Sequence, residues 1–343
     1  MIIFYCPLGK MPNGGHKVIY KTVELLNNSG VDAYIFHEIK NYKLKWFDFS
    51  KKVRFINKIP KSSHIIIPEV CLLNINKNIL KNAYSILVQN GYYIFNNCES
   101  NEFYKKLIKI YLKAEHIYCV SSDTAKCVLN QFPDIKNKIV NFTPYINYSI
   151  FTISQKDYLL KKNIITIMIR KNPELASNII KHLNYRLPIN WKIIKIDRLH
   201  EKEVARNLKS SKIFINVPGF EGFPAPPIEA ALAGNTVIGS TGNGAKVYWK
   251  FFKYPSVELG DTNEICKYVL MEIKKNNFFK KKNLNQNRIT KFLSNLPQLN
   301  NVIEKNYSEY KTSINKIKKR EEVVYRAKQY WIFIFHKILS KIF

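Results

Sequence analysis

The chain is poor in acid: 25 Asp and Glu stand against 55 Lys and Arg over 343 residues, a formal net charge of +30. Its six cysteines (Cys6, Cys71, Cys98, Cys119, Cys127 and Cys266) form no Cys-x-x-Cys pair and no disulfide-like spacing. That argues against a disulfide-stapled secreted scaffold, and a reducing cytosol is the expected setting. No apolar run approaches the roughly 20 residues of a membrane-spanning helix. Met1–Pro7 reads as a short strand stopped by proline, not as a signal peptide. His16, His37, His64, His116 and His200 fall at no metal-ligand spacing and no Asp-x-Asp occurs, so neither a metal nor another cofactor is expected. There is no helix-turn-helix, RNP-type aromatic motif or zinc finger to go with the charge, so nucleic acid is not the expected partner. The positive field attracts anions in general, with acidic lipid and phosphorylated small molecules among them.

What is present is enough apolar matter for two cores. Hydrophobic residues make up 46% and aromatics 13%, which excludes a disordered chain. The first half alternates strand-like stretches (Ile2–Tyr5, Ala33–Phe36, His64–Ile67, Ser85–Gln89, His116–Val120) with helical ones (His16–Asn28, Glu102–Ala114). A second series starts near Asn163: strands at Ile164–Ile169, Trp191–Ile196, Ile213–Val217, Thr236–Gly239 and Val257–Leu259, helices at Glu174–Leu183, Glu201–Ser210, Pro227–Ala233 and Ile265–Lys274. Such alternation predicts open parallel sheets. The expected division is residues 1–155, 156–285 and a helical segment 286–343, with the hinge around Tyr148–Lys161.

The most informative segment is Val217-Pro-Gly-Phe-Glu-Gly-Phe-Pro-Ala-Pro-Pro-Ile-Glu-Ala-Ala-Leu-Ala-Gly-Asn-Thr-Val-Ile-Gly-Ser240. A buried strand runs into a Gly/Pro loop, and Pro227 sits in the first turn of a helix, where its missing N–H costs nothing. Glu221 and Glu229 thereby lie at the carboxyl edge of a sheet, where ligands bind in open α/β folds.

This segment resembles the glutamate-pair motif of retaining GT-B glycosyltransferases of the group-1, glycogen-synthase-like and lipopolysaccharide type. The resemblance implies an α/β fold of two Rossmann-like domains facing across a cleft. It also implies transfer of a sugar from a nucleotide-sugar donor to a glycan or lipid-linked acceptor, with retention, in surface polysaccharide or lipopolysaccharide assembly. By it, Glu221 faces donor-sugar hydroxyls, Glu229 accepts from the nucleotide ribose, and Gly222 and Phe223 belong to the donor loop. Pro224 and Ala225 stand where that family has Gly-Leu, and proline offers no backbone N–H. Arg170 and Lys171, at the end of the Ile164–Ile169 strand, resemble the Arg and Lys that hold the donor diphosphate, although here they are adjacent. Arg170 can bind phosphate with a two-pronged fork. Gly14-Gly15-His16-Lys17 is similar to the N-terminal glycine loop of the same family. Gly239–Val247, with Gly242 and Gly244, resembles its second glycine loop, expected to add backbone amides to a phosphate cradle.

On the acceptor side the strand ends supply Gln89, Asn90 and Glu69. An inverting transferase using His16 or Glu69 as base, and a noncatalytic sugar-nucleotide-binding protein, are the alternative readings. Tyr325–Phe343 interleaves aromatics with Arg326, Lys328, Lys337 and Lys341, and is read either as an interfacial helix on an anionic membrane, on the inner face of the cytoplasmic membrane, or as a tail packed on the first domain. Lys43–Arg54, with Trp46 and Phe47, is read as a second such stretch.

Overall fold

The structure is a computed structural model of the chain and describes residues 1–9, 11–275, 282–313, 315–316, 319–320 and 322–326. In chain order the first unit is β1 (Ile2–Tyr5), α1 (Gly14–Asn28), β2 (Ala33–Phe36), β3 (Phe55–Ile56), β4 (His64–Pro68), β5 (Ala83–Val88), α2 (Asn101–Lys113), β6 (Ile117–Cys119), α3 (Ser122–Gln131) and β7 (Ile139–Asn141). Two short helices, α4 (Tyr148–Phe151) and α5 (Gln155–Leu159), lead into the second: β8 (Ile164–Met168), α6 (Pro173–Asn184), β9 (Lys192–Ile196), α7 (Glu201–Ser210), β10 (Ile213–Asn216), α8 (Pro226–Leu232), β11 (Thr236–Gly239), α9 (Lys246–Trp249) and α10 (Thr262–Lys275). Helices α11 (Lys282–Ser294) and α12 (Leu299–Lys305) follow.

Every strand pairing is parallel. The first sheet runs β3-β2-β1-β4-β5-β6-β7 and the second β11-β10-β8-β9. Ile2, Phe4, Ile66 and Leu87 face one core while Tyr5, Ile65, Ile67, Ile86 and Val88 face another, so the first sheet is covered on both sides. The second sheet is covered likewise, as parallel sheets require. Helix α1 is capped by Asn13, whose side chain accepts from the Gly15 amide, and the chain turns out of it at Gly30, whose φ of +80° only glycine adopts freely.

Two expectations are corrected. Val257–Leu259 forms no strand: Pro255 lacks an N–H and Gly260 turns the chain at φ +105°, leaving one backbone bond to the sheet, Val257 N–H to Gly239 O at 2.8 Å. Trp46 and Phe47 are not membrane anchors, because Phe47 is buried in the core beside α1 and Trp46 packs against it. In the tail, residues 327–343 lie outside the described residues, and among the described ones no helix is long and apolar enough to cross a membrane.

The segment after α11 returns to the first sheet. The Thr143 amide donates to Pro297 O at 2.8 Å, and Leu299, Val302, Ile303 and Tyr310 join the core beside α1. The Tyr310 ring stacks on His64 at 3.8 Å and its hydroxyl meets that of Tyr118. Burial, with His116 and the chain's amino terminus adding to it, pulls the His64 imidazole down to about 3, so the stack involves a neutral ring. Tyr310→Ala should therefore open a cavity under the sheet and cost about 3–5 kcal/mol, the range of large aromatic-to-alanine truncations. Urea unfolding measures it; a loss below about 1 kcal/mol, the level of surface changes, would mean the segment is only loosely docked.

Candidate functional site

In an open parallel sheet the crevice opens where strand order reverses, beyond the carboxyl ends of the strands. In the first sheet the chain builds outward from β1 through β2 and β3 and then returns to β4; in the second it reverses between β8 and β10. The loops leaving these four strands face one another and line a single cavity of about 360 Å³, within the size range of small-molecule sites.

From the first sheet, Gly14 and Gly15 open α1 at the cavity wall. A Cβ on Gly14 would meet nothing within 4 Å, whereas one on Gly15 would sit 2.9 Å from Gln89 Oε1. A side chain at Gly15 would thus displace the end of the Gln89 side chain from the cavity wall, whereas Gly14 leaves room. Glu69 is buried at the end of β4, where its two oxygens accept from the Gln89 amide (3.1 Å) and the Asn90 amide (3.0 Å). Burial outweighs these bonds and pushes the carboxyl up to about 7.

Two other acceptor-side candidates are otherwise engaged. Asn90 donates across the cleft to Phe220 O at 3.0 Å and caps the turn at Tyr92. His16 Nε2 lies 3.0 Å from Pro7 O, so it must donate, and Nδ1 is buried with no partner among the described residues. Burial keeps the ring neutral by lowering its pKa. His16 therefore holds the loop after β1, and its one unprotonated nitrogen is sealed from a substrate.

From the second sheet, Arg170 and Lys171 follow β8. Asn172 then caps α6 by accepting from the Leu175 amide. The Lys171 ammonium pairs with Glu221 at 3.2 Å; Arg170, exposed at the cavity wall, has no ion pair among the described residues. Glu221 is fixed by its backbone: its N–H donates to Gly242 O and its carbonyl accepts from the Gly244 amide, both at 3.0 Å. This corrects the expectation for the glycine loop. Gly242 and Gly244 do not line the cavity, and the Gly244 amide is spent holding the Glu221 loop from behind. Phe223 lines the cavity and packs against cores of both units.

Glu229 is buried in α8 and faces Lys17 of α1 across the cleft, Nζ to Oε1 at 3.5 Å. The same ammonium is in contact with Glu201 at the start of α7. Burial raises the Glu229 carboxyl, Lys17 opposes it and Glu201 adds to it. For Lys17, burial alone would lower the ammonium, but Glu229 and Glu201 together raise it.

Lys17 was visible in sequence only as the end of a glycine loop, and Glu201, Asp197 and Arg198 were missed. All line the cavity. The strand-end rule that singled out Arg170 would have found the last three, since they follow β9. Arg198 adopts φ +50°, a left-handed value few non-glycine residues take. Among the described residues no group of three His, Cys, Asp or Glu side chains is placed to hold a metal ion.

No family model matches the sequence, and no curated protein matches it. Solved structures do match the fold. HepE of Anabaena, solved in complex with UDP, superposes with a TM-score of 0.62 at 10% identity, covering 91% of this chain and 100% of its own. Sucrose-phosphate synthase of Thermosynechococcus elongatus gives 0.65 at 11% identity, over 95% of this chain and 99% of that one. A glycosyltransferase of Rickettsia africae gives 0.61 at 14% identity, over 91% and 98%. The chain thus has the GT-B fold, two Rossmann-like domains with the cavity between them.

Glu69 generates a test. Between its ordinary value of 4.5 and its folded value of about 7, the native chain holds a proton that the unfolded chain has lost, so stability falls as pH rises through that window. Glu69→Gln should remove this component. It should also turn an amide donor toward one of the two backbone N–H groups, at a cost of about 1–3 kcal/mol at pH 5. Urea unfolding at pH 5 and pH 8 checks both; a variant with the wild-type pH dependence would mean that Glu69 titrates as a normal acid.

Proposed function

We propose that the chain is a glycosyltransferase that moves a sugar from a nucleotide-sugar donor to a glycan or lipid-borne acceptor. The observation that carries this reading is the meeting of two strand-order reversals at one cavity, with Glu221, Glu229, Arg170 and Lys171 all on the second-domain wall. The UDP in the HepE complex, and the UDP-glucose in another HepE structure of the same fold, support a nucleoside diphosphate as the donor's handle. On this reading Glu229 accepts from the ribose hydroxyls, a demand suited to a carboxylate. Glu221, steadied by Lys171 and the glycine loop behind it, faces the sugar. Arg170 lies toward the diphosphate.

The reaction breaks the bond between the anomeric carbon and the diphosphate oxygen and forms one from that carbon to the acceptor oxygen, on the same face for a retaining enzyme. Charge grows on the leaving diphosphate, and Arg170 stabilises it where the ammonium of Lys171 is already partnered. The acceptor proton passes to the leaving phosphate oxygen, and Arg170 is the cation this reading assigns to the diphosphate. Glu69, with its carboxyl near 7, is the base an inverting enzyme would use instead, and the anomeric configuration of the product distinguishes the two. The positive charge of the chain supports an acceptor presented at an anionic membrane surface, as in polysaccharide or lipopolysaccharide assembly.

Two tests follow. A thermal-shift screen of UDP-, GDP- and dTDP-sugars should find one that stabilises the protein. With that donor, Glu229→Ala should weaken binding by about 1.5–3 kcal/mol per lost charged hydrogen bond, while Arg170→Ala and Glu221→Ala should lower turnover more than nucleotide affinity. Wild-type donor affinity in folded Glu229→Ala would sink the assignment. For the acceptor, full-length protein should float with anionic liposomes at low salt and release at high salt, and a chain ending near Glu322 should float less. Protein that stays in the soluble fraction would exclude the membrane.

A further inference from the structure

Lys17 stands out from the other charged groups of the cavity because its partners belong to the other domain. It is one of very few nearly buried lysines, with 11% of its side chain exposed, against 9% for Glu229. It rises from the first turn of α1, crosses the cleft, and ends between the Glu201 and Glu229 carboxylates, with the Phe151 ring 5.6 Å away. An ammonium pays a desolvation cost on entering such a place, and removing one partner of a buried pair leaves the other uncompensated. The three charges therefore hold together only when the domains are closed.

Neighbouring bonds point the same way. The Glu201 amide donates to Trp46 O of the first domain at 3.1 Å, and Asp48 of the same loop reaches Lys202 at 2.6 Å. Both bring the start of α7 against the first domain. The ion pair engages Oε1 of Glu229, the carboxylate assigned to the ribose.

We propose that Lys17 is a positioning residue that latches the two domains together and, by bridging Glu201 and Glu229 from across the cleft, couples closure of the cleft to capture of the donor nucleotide. The second half of this statement rests on the donor reading given above; the first does not. The groups facing Glu229 are Lys17 from α1 and Glu201 from α7, with the Tyr248 phenol of α9 beyond them. Without Lys17, burial and Glu201 are left acting together, and both push the Glu229 carboxyl up. A protonated Glu229 is a weaker, uncharged acceptor with one oxygen turned donor, so nucleotide binding acquires a pH dependence in which affinity falls as pH falls.

The experiment compares full-length wild type, Lys17→Met and Lys17→Arg. Small-angle scattering without nucleotide should give a larger radius of gyration for Lys17→Met and a wild-type one for Lys17→Arg. Calorimetry with UDP, GDP and ADP should show, for whichever binds, a dissociation constant raised about tenfold or more in Lys17→Met, the equivalent of one strong interaction. That loss should be greater at pH 6 than at pH 8, and Lys17→Arg should recover most of it. A Lys17→Met protein as compact as wild type, with the same affinity and pH profile, overturns the proposal. If wild type binds none of the three nucleotides, the donor reading and the coupling fall together, and the scattering still decides the latch. Should Lys17→Met fail to fold, Glu201→Gln removes the shorter of the two contacts, and unchanged dimensions in that variant count against the latch.

Discussion

The loop after β10 lies so close to the first domain that at Gly222 there is no room for a side chain: a Cβ would come within 2.3 Å of the Gln89 carbonyl and 2.8 Å of the Thr124 hydroxyl. On its far side the same loop is pressed by Gly244, whose Cβ would lie 2.3 Å from the carbonyl oxygens of Glu221 and Gly222. Three backbones are thus stacked in register, the Gln89 turn, the Glu221–Gly222 loop and the Gly242–Gly244 turn. Because backbone meets backbone, short polar groups can stitch the layers: Ser121 Oγ donates to Gly222 O at 2.7 Å and Asn243 donates to the Tyr92 hydroxyl at 2.8 Å. The directions of Glu221 and Phe223 follow from this stack. A larger residue at Gly222 would move both, together with the separation of the domains.

The overall charge gives a poor guide to the cavity. A chain of net charge +30 attracts anions from a distance, yet Glu69, Asp197, Glu201, Glu221 and Glu229 all line the cleft. These carboxylates persist there because each is met: Glu69 by two amides, Asp197 by Arg198, Glu221 by Lys171, and Glu201 and Glu229 by Lys17. Arg170 has its charge uncommitted to any ion pair among the described residues. The wall of the cleft thus carries its acids in neutralised pairs, and Arg170 leaves a positive charge facing the cavity.

Much of this was legible in the sequence. Isoleucine-rich runs separated by helical periods gave the parallel strands, and the segments after β8 and β10 do bring Arg170, Lys171, Glu221 and Glu229 to one cavity, because a parallel strand delivers the residues that follow it to the crevice. What failed did so for physical reasons. Interleaved aromatic and basic residues look alike whether the rings enter a membrane or a core, and at Trp46 and Phe47 they enter a core while the flanking Lys43, Lys45, Lys51 and Lys52 stay outside. A glycine's need for space carries no sign of which side the space is on, so Gly242 and Gly244 read as a cradle although they support a neighbouring loop. Lys17 was invisible because its partners lie in another domain, and no spacing within α1 announces a charge that is neutralised from across a cleft. The short strands β3 and β7 were missed for want of length: two or three residues carry no period.

The contacts between the domains differ in how much they resist opening. Asp48 and Lys202 are both more than half exposed, and pairs of that kind contribute little and exchange readily with water. The bonds from Ser121 and Asn90 to the loop after β10 are neutral and local, so water at the cleft mouth can replace them one at a time. Among the described residues, only the Lys17 cluster is a contact between the domains that is both charged and nearly sealed. Opening the cleft must rehydrate three charges at once, a change that favours each ion separately and sacrifices their mutual attraction, so its balance is set by what else can occupy the space. A ligand that supplies hydroxyls to Glu229 and apolar surface to the surrounding walls can preserve the ion pairs while excluding water; water alone cannot. The same three residues that draw the two domains together therefore also favour a closed state over a bound polyol, and this links the fold's hinge to the chemistry its cavity can accept.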